Sequence, residues 1–144
     1  QAARRVIEAG HDVVVHFVGD GPLRKEFEGY AQSLGIGDRC IFLGRMPDSQ
    51  AVRKVIRESD IMVFPTRGEG LPRVVLEAMA EGLPVISTPV CGIPEIIDQG
   101  FLYEPSDVKG MAGKICELME NPEMMAQVGR RNRNRAYDFR SSRL

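Results

Sequence analysis

Four short apolar runs limit what this chain can fold into: VVVHFVG (13–19), CIFLG (40–44), IMVFP (61–65) and PVIST (84–88). They are too short for buried helices, rich in Val and Ile, and bounded by turn-forming or polar residues, which marks strands. They do not alternate between apolar and polar side chains, so both faces of each strand are expected to be covered. Helical patterns lie between them, and a fifth run, FLYEP (101–105), follows. Strands that alternate with helices and are apolar on both faces predict an α/β fold: a doubly wound parallel sheet with helices on both faces. The 144 residues suit one domain, without internal repeats or linkers.

The helices are bounded by recognisable signals. Ala2, Ala3, Val6 and Ile7 form a helical face that ends at Gly10. Pro22 suits the start of a second helix, with Leu23, Phe27, Tyr30, Ala31 and Leu34 at helical spacing and a stop at Gly35. A third helix lies within 46–59, capped by Ser49 or Asp48. GIPEII (92–97) reads as a short helical turn, and two further helices are expected near 108–119 and 122–137. His16 falls inside an apolar strand and reads as a core residue, and His11 as a surface loop residue. Met111, Met119, Met124 and Met125 read as helix core and gap fillers.

Composition excludes several classes of function. A net charge of −1 does not point to a polyanionic partner. The arginine-rich end, RRNRNRAYDFRSSRL, lacks regularly interleaved stacking aromatics, so a solvated helix end is expected there and nucleic acid is not. Cys40, Cys91 and Cys116 are odd in number and widely spaced, which argues against a disulfide framework or zinc site and fits a reducing cytosol. No apolar run approaches the roughly 20 residues that span a bilayer. The chain opens QAARRVIEAG, without methionine and already in a helical pattern, and reads as a piece of a longer protein.

Open parallel sheets bind ligands beyond the carboxyl ends of their strands. The loops expected there are 19–22, 44–46, 65–72 and 88–93. Helix N-termini in such loops offer free N–H groups and about half a positive charge, a setting that favours phosphate. Gly-x-Gly-x-x-Gly and Gly-Lys-Ser/Thr are both absent, so the usual nicotinamide-dinucleotide and ATPase fingerprints are missing. The richest loop is TRGEGLPRVVLEAMAEG. Glu69 stands between Gly68 and Gly70, Pro72 opens a helix, and Glu77 sits in its second turn. Helical side chains lean toward the N-terminus, so Glu77 can reach a ligand held there. Glu81, about 5.4 Å further on, reads as a surface acid. Carboxylates accept paired hydrogen bonds from neighbouring hydroxyls, as in ribose and sugars. Spacing alone leaves another reading open, in which Glu69 caps the helix and Glu77 is an exposed helix former.

In this loop the sequence resembles the C-terminal half of a GT-B-fold, retaining glycosyltransferase of the group 1 family. The motif is Glu69-GLPRVVL-Glu77 followed by AMAEGLPVIST. HFVGDGPLRKEFEGYAQSLGIGDRCIFLGRM and SDIMVFPTRGEG match upstream, and GIPEII and GFLYEPSD downstream. The resemblance covers about residues 1 to 125. It implies a Rossmann-like domain, 1–144, that binds a nucleotide diphosphate sugar and serves transfer of that sugar to an acceptor with retained configuration. It also implies that Glu69 is catalytic and faces the donor sugar, and that Glu77 holds the ribose. The amides of Leu71, Arg73 and Val74 would lie near the diphosphate and sugar, Gly70 would also belong to the donor site, and Gly19, Arg45 and Met46 would border the nucleobase. No cofactor or metal is implied. The acceptor would be a saccharide or lipid-linked saccharide held by an N-terminal domain outside this chain. The full-length enzyme would be cytoplasmic, peripheral to the inner face of the membrane.

Three departures stand out. Pro72 replaces a common glycine and lacks an N–H. Cys91 also stands where glycine is common. PEIIDQGFLYEP is shorter than the usual connection. The family's first strand, with the following arginine and lysine, would precede Gln1. Without that central strand three outcomes are open: rearranged pairing, a strand from another chain (with copies associating through the incomplete sheet), or excerption from a larger molecule. The isolated chain is expected to show no transferase activity. A noncatalytic nucleotide-binding or interaction module is the alternative reading.

Overall fold

The structure, a computed structural model, describes residues 1–68 and 70–141, with no statement for the side chain of Ser141. Helices and strands alternate: α1 (Ala2–Glu8), β1 (Val15–Val18), α2 (Arg24–Ser33), β2 (Cys40–Gly44), α3 (Ser49–Arg57) and β3 (Met62–Phe64). There follow α4 (Arg73–Ala80), β4 (Val85–Ser87), α5 (Val108–Glu120) and α6 (Pro122–Ser141). Short 3₁₀ turns fill Gly37–Arg39, Ile93–Glu95 and Gln99–Phe101.

Both strand pairs among the described residues are parallel, and one isolated antiparallel bridge joins Gly19 to Gly44 just past β1. β1 lies along β2 with Val15 opposite Cys40, and β3 along β4 with Met62 opposite Val85 and Phe64 opposite Ser87. These are two separate pairs, because β1 does not pair with β3 among the described residues. Rearrangement therefore does not close the sheet, and among the described residues β1 and β3 each keep an edge without a strand partner. The run FLYEP, expected as a full strand, is shortened. Residues 99–101 curl into a 3₁₀ turn, and Leu102 adds a single parallel bridge to Ser87. The Tyr103 N–H then donates to the Ser87 carbonyl at 2.9 Å, so the short connection tightens around the end of β4.

The open edges change the burial that the sequence predicts. β4 is wholly buried, but Phe17 and Val18 of β1 are each 44% exposed. His16 is exposed too, not a core residue. A uniformly apolar strand needs neighbours on both edges and layers on both faces, and among the described residues β1 has a partner only on the β2 side. Phe17 and Phe42 recover some contact by stacking across that pair, with ring centroids 4.6 Å apart. His11 is the reverse case. Its side chain is mostly covered, and its Nε2 lies 2.8 Å from Glu120 Oε1, tying the end of α1 to α5.

The core sits under β3 and β4. Val75, Ala78 and Met79 of α4 pack with Val85 and Ile86 of β4, Leu118 of α5, and Val128 and Ala136 of α6. Local chemistry starts and stops these elements. Asp48, not Ser49, caps α3 by accepting from the Ala51 N–H at 2.8 Å, and Asp107 caps α5 through the Gly110 N–H. α4 ends at Gly82, whose φ of 84° lets its N–H reach the Met79 carbonyl while the Leu83 N–H reaches Ala78. That turn feeds the chain directly into β4.

The arginine-rich end is helical, as expected, but it is tied into the fold and not simply solvated. α6 runs to Ser141, beyond the predicted end near 137. Asn132 is 7% exposed and donates from Nδ2 to the Leu83 carbonyl at 2.8 Å. Arg131 and Arg135 both pair with Asp98, and Arg135 also donates to the Ile96 carbonyl. α6 thereby braces the connection that returns from β4.

Candidate functional site

α4 is short, apolar on its buried side and open at its start. Pro72, with φ −73° and ψ 119°, is its N-cap residue and offers no capping side chain. The helix begins one residue later than the sequence implied, at Arg73. The Val75 N–H turns back to the Pro72 carbonyl at 3.1 Å. The N–H groups of Arg73 and Val74 precede Val75, the first to find an acceptor within the helix, and are available to a ligand. Arg73 is exposed, Val74 and Leu71 are half-buried, and Gly70 is exposed. Glu77 lies in the second turn, half-buried, on the helix whose start bears those amides. Glu69 lies outside the described residues, so its place in the site, or as a helix cap, rests on the sequence.

Two buried hydroxyls hold the approach to this helix. Ser87 Oγ donates to the Phe64 carbonyl at 2.7 Å, and Thr88 Oγ1 donates to the Thr66 carbonyl at 2.6 Å. Both residues are fully buried. The loop after β4 also closes on the loop after β3. A methyl group added at Gly92 would sit 3.5 Å from Leu71 Cδ1. Cys91, in the same loop, has φ 51°. That left-handed backbone explains why glycine suits the position.

Gly19, Arg45 and Met46 sit on the other strand pair. Gly19 donates its N–H to the Gly44 carbonyl at 2.8 Å and joins the carboxyl ends of β1 and β2. Arg45 follows exposed and Met46 half-buried. The structure thus groups Gly70, Leu71, Arg73, Val74 and Glu77 on one unit and Gly19, Arg45 and Met46 on another. Among the described residues no hydrogen bond joins the two groups. Glu81 is not the free surface acid expected, because its carboxylate receives Arg57 Nε at 3.1 Å and links α4 to α3.

Cys40 and Cys116 do not take part in this site. Cys40 lies at the amino end of β2 and Cys116 on α5, and burial pushes both thiols up in pKa, toward the neutral form. Among the described residues no three His, Cys, Asp or Glu side chains gather to hold a metal. A groove of about 310 Å³ between α1 and α2 is lined by Gln1, Arg4, Arg5, Glu8, Tyr30 and Leu34, none of them a predicted donor contact.

The family model described as glycosyl transferases group 1 matches residues 1–135. The chain belongs to that family. The N-acetyl-alpha-D-glucosaminyl L-malate synthase of Bacillus anthracis is 36% identical over 137 residues, covering 92% of this chain and 35% of that protein. This glycosyl transferase chain therefore spans about a third of the length of that curated relative. The C-terminal domain of a group 1 glycosyl transferase from Francisella tularensis, LpcC, superposes with a TM-score of 0.85 at 27% identity, over 95% of this chain and 74% of that one. Anabaena HepE, solved in complex with UDP, has a TM-score of 0.80 at 24% identity over 94% of this chain and 40% of its own, a likeness of fold. The α/β organisation with parallel strands is thus that of a GT-B transferase domain. Among the described residues no helix is long and apolar enough to cross a membrane.

The family motif did not reveal the hydroxyl pair Ser87–Thr88 or the bracing by Asn132. The available signal was slight. PVIST ends in two hydroxyl residues at the carboxyl end of a buried strand, where a polar side chain needs an internal partner.

Proposed function

We propose that this chain is the donor-binding half of a longer transferase. The enzyme moves a sugar from a nucleoside diphosphate sugar to a saccharide or lipid-linked saccharide acceptor with retained configuration, on the cytoplasmic side of a membrane. The observation that carries the reading is the build of α4. Its first-turn amides are open, Glu77 stands in its second turn, and the helix follows a glycine-flanked loop at the carboxyl end of β3. In this reading the amides of Leu71, Arg73 and Val74 receive the diphosphate, whose negative charge the helix terminus favours. Glu77 accepts both ribose hydroxyls, and Glu69 acts at the sugar. Gly19, Arg45 and Met46 border the base. Pro72 contributes shape but no N–H. The complex of Anabaena HepE with UDP supports a uridine nucleotide as the first to test.

Calorimetry on the full-length protein with UDP-, GDP- and ADP-sugars tests the proposal. One donor is expected to bind clearly more tightly than the rest. A folded protein that bound none would overturn the reading and favour a noncatalytic interaction module. Retention is checked from the anomeric configuration of the product by NMR. Glu77→Ala is expected to weaken nucleotide binding about 10- to 100-fold, since hydrogen bonds to a charged group contribute roughly 1.5–3 kcal/mol. Unchanged affinity in that variant would remove Glu77 from the ribose.

A further inference from the structure

We propose that Thr88 is a positioning residue for the transfer step, acting through the Thr66 carbonyl to aim the loop that leads into α4. The inference rests on the donor-site reading above and adds a residue to it. The β3–β4 ladder ends at Phe64 opposite Ser87. Beyond it, Pro65 has no N–H to continue the pairing. The Thr66 N–H instead turns back to the Phe64 carbonyl at 3.0 Å, so the chain bends sharply out of the sheet. A bend of this kind leaves the Thr66 carbonyl without a ladder partner. Thr88 Oγ1 supplies one at 2.6 Å from a fully buried side chain. Thr66 then passes the constraint on, because its own hydroxyl accepts the Gly68 N–H at 3.4 Å. Two hydrogen bonds in series therefore connect the buried end of β4 to the residue just before the proposed catalytic carboxylate.

Ser87 does different work. Its hydroxyl binds the Phe64 carbonyl, inside the last registered pair, and reinforces the strand itself. Of these two hydroxyls, that of Thr88 reaches past the ladder to the loop. The nucleotide grip assigned to Glu77 lies on α4, beyond this loop, so loosening the loop moves the sugar end of the site more than the ribose end. A shift of about 1 Å in a positioning element can lower a rate about 100-fold.

The test compares Thr88→Val, which keeps the side-chain shape without the hydroxyl, with Thr88→Ser, which restores the hydroxyl. Both are made in the full-length enzyme. Thr88→Val is expected to lower kcat about 10- to 100-fold with UDP affinity within about threefold of wild type, and Thr88→Ser to recover most of the rate. Amide hydrogen exchange at Gly68 and Gly70 should quicken in the valine variant and return in the serine variant, a readout that needs no sugar transfer. Wild-type kcat and exchange in Thr88→Val would overturn the proposal. So would a parallel fall of kcat, UDP affinity and thermal midpoint that serine does not rescue, which marks a merely structural residue. If the wild-type enzyme bound no nucleotide, the donor-site reading would fail. Exchange at Gly68 and Gly70 would still report whether Thr88 holds the loop.

Discussion

Gly129→Ala is expected to destabilise the domain by about 2–3 kcal/mol. Alanine is the better helix former by up to about 1 kcal/mol, so propensity alone predicts the opposite sign. Space decides it. A Cβ at Gly129 would lie 2.2 Å from the Gly82 carbonyl oxygen, and the obstacle is backbone, not a side chain that can turn away. Carbon and oxygen make close contacts at about 3.3 Å, so α6 must retreat by about 1 Å. Asn132, on the next turn of α6, holds the Leu83 carbonyl at 2.8 Å, and the retreat stretches that bond as well. Gly113→Ala in α5 is the control, because nothing lies within 4 Å of its added Cβ. It should leave stability unchanged or raise it by about 0.5–1 kcal/mol. Urea midpoints of the two variants in the full-length protein check the pair. Equal midpoints would refute the close approach of α6 to the turn after α4.

In Glu69→Gln the expected loss is catalytic. The substitution keeps the shape of the side chain and removes its charge. If the carboxylate acts at the reacting sugar, kcat should fall about 100- to 1,000-fold, the range seen when one preorganised electrostatic contact to a transition state is removed. Nucleotide binding should stay near wild type, because the ribose is assigned to Glu77 and the diphosphate to amides of the loop and α4. Glu77→Ala should show the reverse pattern, with weakened nucleotide binding as the leading defect. Steady-state kinetics with the cognate donor separates the two. Full transfer by Glu69→Gln would end the role given to that residue.

The two variants also mark the difference between what was legible in sequence and what was not. Glu69 and Glu77 stand out because a ligand site needs particular chemical groups at particular spacing, and spacing along a loop and a helix is a local property. Gly129 gave no such signal. Its importance comes from Gly82, which is distant in sequence and meets it only after α4 and α6 have packed. Thr88 and Thr66 are a similar case, as are Arg57 and Glu81, where an acid read as solvated is half-buried in a pair.

Sequence by itself determined the order of the helices and of the first four strands, the parallel α/β class, the helix stop at Gly10 and the Glu-x₇-Glu loop. Each depends on periodicity, capping or turn chemistry over a few residues. Burial of the individual strands was decided by tertiary structure. PVIST and VVVHFVG look alike as apolar runs, yet β4 is buried and β1 is largely exposed. A strand's own composition states what it can bury, but burial requires a neighbour at each edge and a layer on each face. β4 lies between β3 and Leu102 beneath a helical core, whereas β1 has only β2 beside it among the described residues.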